Sequence, residues 1–259
     1  MKICVCVKIV PRAVVPLRLD PATLRLDRTG ATEIDPNDMH AIEEALRLRD
    51  RVGGEVLTLS VAPEEGRESL RLALAMGVDR VLVASDPAIA GSDLLGTSRV
   101  LAVALEREHP DIVVFGSQSA DGAGGLLWSA VAERLRLPLL SGVRSIDVID
   151  DEVRAGRQIL GGQQVLAAPM PAVVALSGSA FTPRYPSFRD IVSAKKKAIE
   201  SARLSDLGID PAAVGASAAR TAVLMVAPAP PRRAAGEVVE DEGQGAAWLY
   251  RFLVERGLS

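Results

Sequence analysis

Asp111–Leu135, DIVVFGSQSADGAGGLLWSAVAERL, is the stretch whose reading decides the fold. The apolar run Ile112 to Phe115 has strand length. It passes into small polar residues and glycines, then into a segment rich in Ala, Leu, Glu and Arg, so the order reads strand, loop, helix. Free backbone N–H groups and the positive end of the helix dipole collect at such a helix start. Gly122, Gly124 and Gly125 let a phosphate come close to the main chain. The pattern is not the full dinucleotide fingerprint, because Leu127 stands where a third glycine is needed. On spacing alone the stretch reads either as a phosphate loop or as a tight turn that needs no ligand.

Working outward, Lys2 to Val10 reads as a buried first strand closed by Pro11, followed to about Thr32 by loop with short extended pieces such as LRLD. Asp35 as N-cap, Pro36 at the first helical position and Asp38 near the dipole mark a helix start. Met39, Ile42 and Leu46 then share a face, and Gly53-Gly54 ends the helix. Glu55 to Val61 is a second strand. Pro63 opens a helix with a Leu70, Ala73 and Leu74 stripe that stops at Gly77. DRVLVAS (residues 79–85) is a third strand, and Ser92-Asp93 cap a helix carrying Leu94, Leu101 and Leu105 up to Pro110. Four strand–helix alternations predict a parallel sheet with helices on both faces. After Pro138, short alternating runs broken at Asp150-Asp151 and Gly161-Gly162 predict antiparallel hairpins over residues 143–168, and Pro171 to Ser177 is again a core strand.

Residues 181–200, FTPRYPSFRDIVSAKKKAIE, gather aromatic side chains in a chain that is only 3% aromatic, which marks a contact surface or a plug for the loop. From Pro211 the chain is Ala-rich, then strand-like at TAVLMVA (residues 221–227), then Pro-rich. A polar linker and an amphipathic helix from Ala246 to Glu255 follow. An extended Pro-rich segment buries little on its own domain, so it is read as an arm for a partner subunit, with simple disorder as the competing reading. The expected fold is α/β: a Rossmann-like, doubly wound, mostly parallel sheet with a small antiparallel hairpin section and a C-terminal arm. The expected division is a nucleotide-binding domain over residues 1–210 and the arm over residues 211–259.

With 259 residues, 48% of them apolar, the chain can bury a sizeable core. Thirty basic and 33 acidic residues leave a net charge of −3, so no global basic field argues for nucleic acid. No apolar run reaches the roughly 18 residues of a membrane span, and the N-terminus is too short and strand-like for a signal peptide, which argues against direct membrane insertion and for a cytoplasmic or other reducing compartment. Cys4 and Cys6 share a strand face and are poorly placed for an unstrained disulfide; buried, inert thiols are expected. His40 and His109 lack a metal-ligand pattern. No G-x-S-x-G, H-E-x-x-H, C-x-x-C or Walker-type lysine occurs, and Ser177-Gly178-Ser179 only faintly suggests a phosphate loop. A carrier, sensor or structural binder fits better than an enzyme acting alone.

The order and wording of these segments resemble the β subunit of electron-transfer flavoprotein over nearly the whole chain. The marks are MKICVCVK (residues 1–8), DPNDMHAIEEALRL (35–48), LALAMGVDR (72–80), DIVVFGSQSADG (111–122) and PRYPSFRDIVSAKKKAIE (183–200), with APPRRAAGEV (229–238) as a counterpart of the family's ending. The resemblance implies a heterodimer with an α subunit, which holds most of the FAD. It also implies shuttling of single electrons from a dehydrogenase, commonly an acyl-CoA dehydrogenase, to a membrane quinone reductase. The β subunit would hold AMP, or a second FAD in electron-bifurcating members. Carried over by position, its pocket would involve Cys6, Asp35, Pro36, Asn37, Asp38, Val61, Gln118, Ser119, Asp121, Gly122, Ala123, Gly124, Gly125, Leu126 and Leu127. The loop Tyr185 to Ile191 would be the recognition loop for dehydrogenases, with Phe188 where a leucine anchor stands, and Lys195 and Lys196 would steer it toward an acidic rim.

Departures from the family pattern bear on the ligand. Asp35 stands in place of Asn and would repel phosphate. Leu126-Leu127 stand in place of Gln followed by Thr or Val, leaving backbone N–H groups and the helix dipole as donors. Gly91-Ser92-Asp93 to Thr97-Ser98 resembles the wording of bifurcating members, where a polar helix start helps hold a second flavin, but reads first as a plain capped helix. AMP, FAD and an empty pocket stay open in that order. The competing functions are an electron-bifurcating subunit and a stand-alone nucleotide-binding regulator of universal-stress-protein type; an ATP-using ligase or pyrophosphatase lacks its metal ligands and phosphate loop.

Overall fold

The strand at the head of the decisive stretch lies near the middle of a nine-stranded sheet. The computed structural model describes residues 1–14, 17–178, 182–227 and 238–258; Ser179, Phe181 and the Pro-rich run at residues 228–237 lie outside the described residues. In chain order the elements are β1 (Lys2–Cys6), β2 (Ile9–Pro11), β3 (Arg18–Asp20), β4 (Arg25–Asp27), β5 (Thr32–Ile34), α1 (Pro36–Val52) and β6 (Glu55–Val61). Then come α2 (Arg71–Met76), β7 (Arg80–Ala84), α3 (Leu94–Glu108), β8 (Ile112–Phe115), α4 (Leu127–Leu135), β9 (Leu139–Ile149), β10 (Glu152–Ile159) and β11 (Gly162–Pro169). The last are β12 (Ala172–Leu176), α5 (Phe188–Ala194), β13 (Glu200–Ala202), α6 (Leu204–Leu207), α7 (Gly215–Ala218) and α8 (Gly245–Glu255).

The strand order is β11-β10-β9-β12-β8-β1-β6-β7-β13. Pairing is parallel from β9 through to β13, and β10 and β11 add an antiparallel hairpin section at one edge. From β1 the chain winds outward through β6 and β7, then crosses back to β8 on the other flank. That reversal is the topological switch point where open α/β sheets form their ligand crevice. Alternation along the strands divides the core in two. Ile3, Val5, Ile112 and Val114 face α1 and α2, while Cys4, Cys6, Val113 and Phe115 face α3 and α4. Both cysteines are buried, free and on one face.

Local signals account for most boundaries. Asp35 caps α1 by accepting from Asn37 N at 2.9 Å, with Pro36 following at the first helical position. Gly54 (φ +110°) follows the helix, and a Cβ there would lie 1.9 Å from the Met1 carbonyl oxygen, so only glycine admits β6 so close to the N-terminus. Three expectations are corrected. Lys2 to Val10 is not one strand: Lys8 N donates to Asp38 Oδ2 at 2.7 Å instead of to a ladder, the chain turns, and β2 pairs antiparallel with β5. The helix from Pro63 begins as a 3-10 turn, Glu64–Leu70, before α2. Residues 221–227 form no strand; they are exposed and pair with no sheet edge among the described residues.

The chain divides into two compact units, Met1–Val223 and Leu224–Ser259. The second contains α8, where Trp248 stacks on Phe252 at 5.2 Å and Arg256 lies over the Phe252 ring at 4.3 Å. Among the described residues no helix is long and apolar enough to cross a membrane.

Candidate functional site

A cavity of about 800 Å³ opens at the carboxyl ends of the central strands, within the size range of small-molecule sites. Its floor comes from strand ends: Cys6 of β1, Val61 of β6, Ser85 beyond β7 and Phe115 of β8. Its walls are the starts of two helices, Gly91 to Leu94 with Thr97 at α3 and Gly122 with Gly124 to Trp128 at α4. Both helices begin here because each follows a parallel strand, β7 or β8, whose carboxyl end opens on this side of the sheet.

The start of α4 has the properties of an anion site. Leu126 occupies the N-cap position and no side chain caps the helix. Among the described residues no acceptor takes the amides of Gly124, Gly125, Leu127 or Trp128, so orphan donors and the dipole's positive end meet on the cavity wall. A Cβ on Gly124 would meet nothing within 4 Å, and Gly125 adopts φ +59°. The donor set fits a phosphate held by the main chain, as the glycines suggest and despite the two leucines.

Asp38 also faces the cavity, half-buried. Burial pushes its carboxyl up to about 8, against the hydrogen bonds from the Lys8 and Gly116 amides and with help from the nearby Asp35 charge. A Cβ on Gly116 would lie 2.3 Å from Asp38 Oδ1, so glycine is required where β8 passes the carboxyl. Burial first, and then the neighbouring Cys4 and Asp38, raise the Cys6 thiol well above its ordinary value and keep it protonated.

Other expected residues support the site from behind. Asp35 is fully buried and does not reach the cavity: its second oxygen accepts from Ala120 N at 2.6 Å, so both oxygens serve backbone amides. The expected repulsion of phosphate by Asp35 therefore has no direct line to the site. Asn37 Nδ2 donates to Gln118 O at 2.8 Å, tying α1 to the loop that contains Gln118 and Ser119, both of which line the cavity. Asp121, with a side chain only 2% exposed, takes Lys8 Nζ at 2.6 Å and Arg28 Nε at 2.7 Å. Burial raises its carboxyl, but these two cations outweigh burial and hold it below the ordinary range. Pro36 and Ala123 are exposed and stand off the lining.

Lys8, Arg25 and Arg28 line the cavity without having been anticipated. Arg25 and Arg28 come from β4 and the turn after it, and nothing local in LRLDR marks them. In the stretch from Gly91 to Ser98, Asp93 Oδ1 caps α3 by accepting from Gly96 N at 3.0 Å, and Gly91, Ser92, Asp93 and Thr97 line the cavity.

Away from the cavity, Tyr185 and Phe188 are 95% and 82% exposed, and Ile191 is 41% exposed. The loop beneath them is held firmly. Arg184 pairs with the buried Glu43 at 2.8 Å and with Asp50 at 3.1 Å, and its own amide donates to Glu43 Oε2 at 2.9 Å. Ser187 and Asp190 form a capping box that starts α5 at Phe188. Lys195 and Lys196 are exposed just beyond α5.

The sheet order and the crevice at its switch point place the chain among Rossmann-like doubly wound α/β proteins. Residues 23–207 match the electron transfer flavoprotein domain. The β subunit of the electron transfer flavoprotein of Mycobacterium leprae is 35% identical, with 97% of each chain covered, and that of Thermoanaerobacterium thermosaccharolyticum is 34% identical over 92% of each. The caffeyl-CoA reductase-Etf complex subunit CarD of Acetobacterium woodii is 33% identical, also over 92% of each. The chain belongs to the electron transfer flavoprotein family, on the side of its β subunits.

Proposed function

We propose that this chain is the β subunit of a heterodimeric electron-transfer flavoprotein, a carrier that works with an α subunit and has no catalytic residues of its own. The α subunit holds most of the FAD, which when bound supplies the one-electron chemistry. The present chain contributes the cavity, the docking loop and the C-terminal arm over residues 211–259, which contacts the α subunit. The cavity takes AMP. The observation that carries this reading is the uncapped start of α4, whose unmatched amides border the cavity beside glycines that leave the main chain open. Cys6, Asp38, Val61, Gln118, Ser119, Gly122 and Gly124 to Leu127 line the nucleotide, while Asp35, Pro36, Asn37, Asp121 and Ala123 hold the loop in shape.

Tyr185, Phe188 and Ile191 form the docking anchor for a dehydrogenase of the acyl-CoA type, with Lys195 and Lys196 steering it toward an acidic rim; electrons pass on to a quinone reductase, and the complex works in the cytoplasm. Large exposed aromatics on a tethered loop support that role. An electron-bifurcating subunit with a second FAD is the other reading, favoured by Gly91 to Thr97 on the cavity wall. Co-expression with the α subunit followed by analysis of released nucleotides decides. One FAD and one AMP per heterodimer is the expected result, and two FAD would select the bifurcating reading. Failure to form a flavin-bearing heterodimer, or ATP bound without flavin, would overturn the proposal.

A further inference from the structure

Residues 211–221 contribute nothing to the cavity lining, yet they are stitched to the outside of one cavity wall. That wall is the turn from Ala88 to Asp93 that leads into α3; its amides at Ala88, Ile89, Ala90 and Ser92 bond locally, which leaves the acceptors Ala90 O, Ser92 Oγ and Asp93 Oδ2 for partners from elsewhere. The segment supplies them. Gly215 N donates to Ser92 Oγ at 2.7 Å, and Ala216 N donates to Ala90 O at 3.1 Å. Arg220 N and Thr221 N donate to Asp93 Oδ2 at 2.7 and 3.2 Å, while the other oxygen of Asp93 caps α3.

The fit is close on both sides of this seam. Gly91 has φ +81°, and a Cβ there would lie 2.8 Å from Ala216 Cβ; Gly215 has φ +79°, and a Cβ there would lie 2.3 Å from Ala88 O. Each side of the seam thus has a glycine with no room for a side chain, Gly91 against Ala216 and Gly215 against the Ala88 carbonyl. Ile209 and Val214 root the segment in the core on the α3 and α4 face.

We infer that residues 211–221 are a strap that positions the nucleotide: Ser92 and Asp93 are positioning residues through which this segment shapes the wall at the start of α3, and nucleotide binding and strap docking stabilise each other. The inference rests on the nucleotide reading of the cavity given above. Linkage makes the coupling reciprocal, so a ligand that orders the wall tightens the strap by the same factor by which the strap tightens the ligand. The strap ends at Thr221, just before the first unit ends at Val223. Any restraint on the chain as it leaves that point is therefore felt in the cavity.

Hydrogen exchange and titration on the full chain test this, with AMP and FAD as separate probes. Saturating wild-type protein with the probe that binds is expected to slow exchange of the amides of residues 215–221 by about tenfold, in the lower part of the usual coupling range. Gly215→Ala, which touches no ligand, is expected to bind the same probe about tenfold more weakly with an unchanged far-UV spectrum. Bound nucleotide with no change in strap exchange overturns the inference, and so does a folded Gly215→Ala protein with wild-type affinity. If the variant does not fold, the wild-type exchange result stands as the test. Wild-type protein that binds neither probe overturns the nucleotide reading instead. Ligand-free exchange then judges the strap, through faster exchange of the wall amides, Ser92 among them, in Arg220→Pro, which removes a strap donor to Asp93 and leaves the Asp93 cap on α3 in place; unchanged exchange there overturns it.

Discussion

Replacing Asp38 by Asn changes how stability depends on pH. The folded carboxyl sits at about 8 against an ordinary 3.8, chiefly through burial. Between those values the folded chain keeps a proton that the unfolded chain has released. The contribution of Asp38 to stability is therefore fully present below about pH 4, is lost as pH rises toward about 8 and is level beyond. About four pH units at about 1.4 kcal/mol each give an upper limit of about 6 kcal/mol; water in the cavity solvates a half-buried carboxylate, so the realised loss is a few kcal/mol. Asparagine cannot ionise. Its one acceptor oxygen can still take Lys8 N, but its NH₂ faces the Gly116 amide, at a cost of about 1 kcal/mol. The two stability profiles should therefore cross at about pH 4.5, where the loss from wild type reaches the cost of the asparagine: the variant is less stable at about pH 3.5 and more stable at about pH 8. Urea midpoints measured from about pH 3.5 to about pH 9, with a constant m-value, read this directly. Parallel profiles for the two proteins would refute the assignment of a protonated Asp38.

Two other substitutions address the proposed surfaces. Phe188→Ala should slow electron transfer from the dehydrogenase by about tenfold or more, the loss of a hot-spot side chain, with flavin content unchanged; equal rates would remove Phe188 as an anchor. Gly124→Val places its side chain in open space, so the fold should survive with a melting temperature close to wild type, while nucleotide recovered from the purified protein drops well below the wild-type amount. Undiminished nucleotide would contradict the assignment of the glycine loop.

The sheet was legible because its signals are local. The run of β6 matches Glu55 to Val61 and that of β8 matches Ile112 to Phe115, since buried parallel strands read as short apolar runs between breakers. Asp35, Asp93 and the glycine pairs mark helix ends by chemistry that acts within a turn or two. The same local logic misled at Val7 to Pro11, where the apolar run continues but a carboxylate 30 residues away takes the Lys8 amide. It misled again at residues 221–227, whose strand-like composition finds no edge to join.

The glycine loop and the helix behind it were therefore readable from the sequence alone. The tertiary structure decided what surrounds them. Strand order sets β1 between β6 and β8, and so brings Lys8 to Asp121 across 113 residues and turns both oxygens of Asp35 onto amides, one of them 85 residues away. It also lays Arg184 on Glu43 across 141 residues, and stitches residues 211–221 to the wall of the cavity. Propensity, capping and periodicity act over a few residues, whereas the neighbours of a functional group are set by which strand ends meet at the switch point, and no short window of sequence contains that.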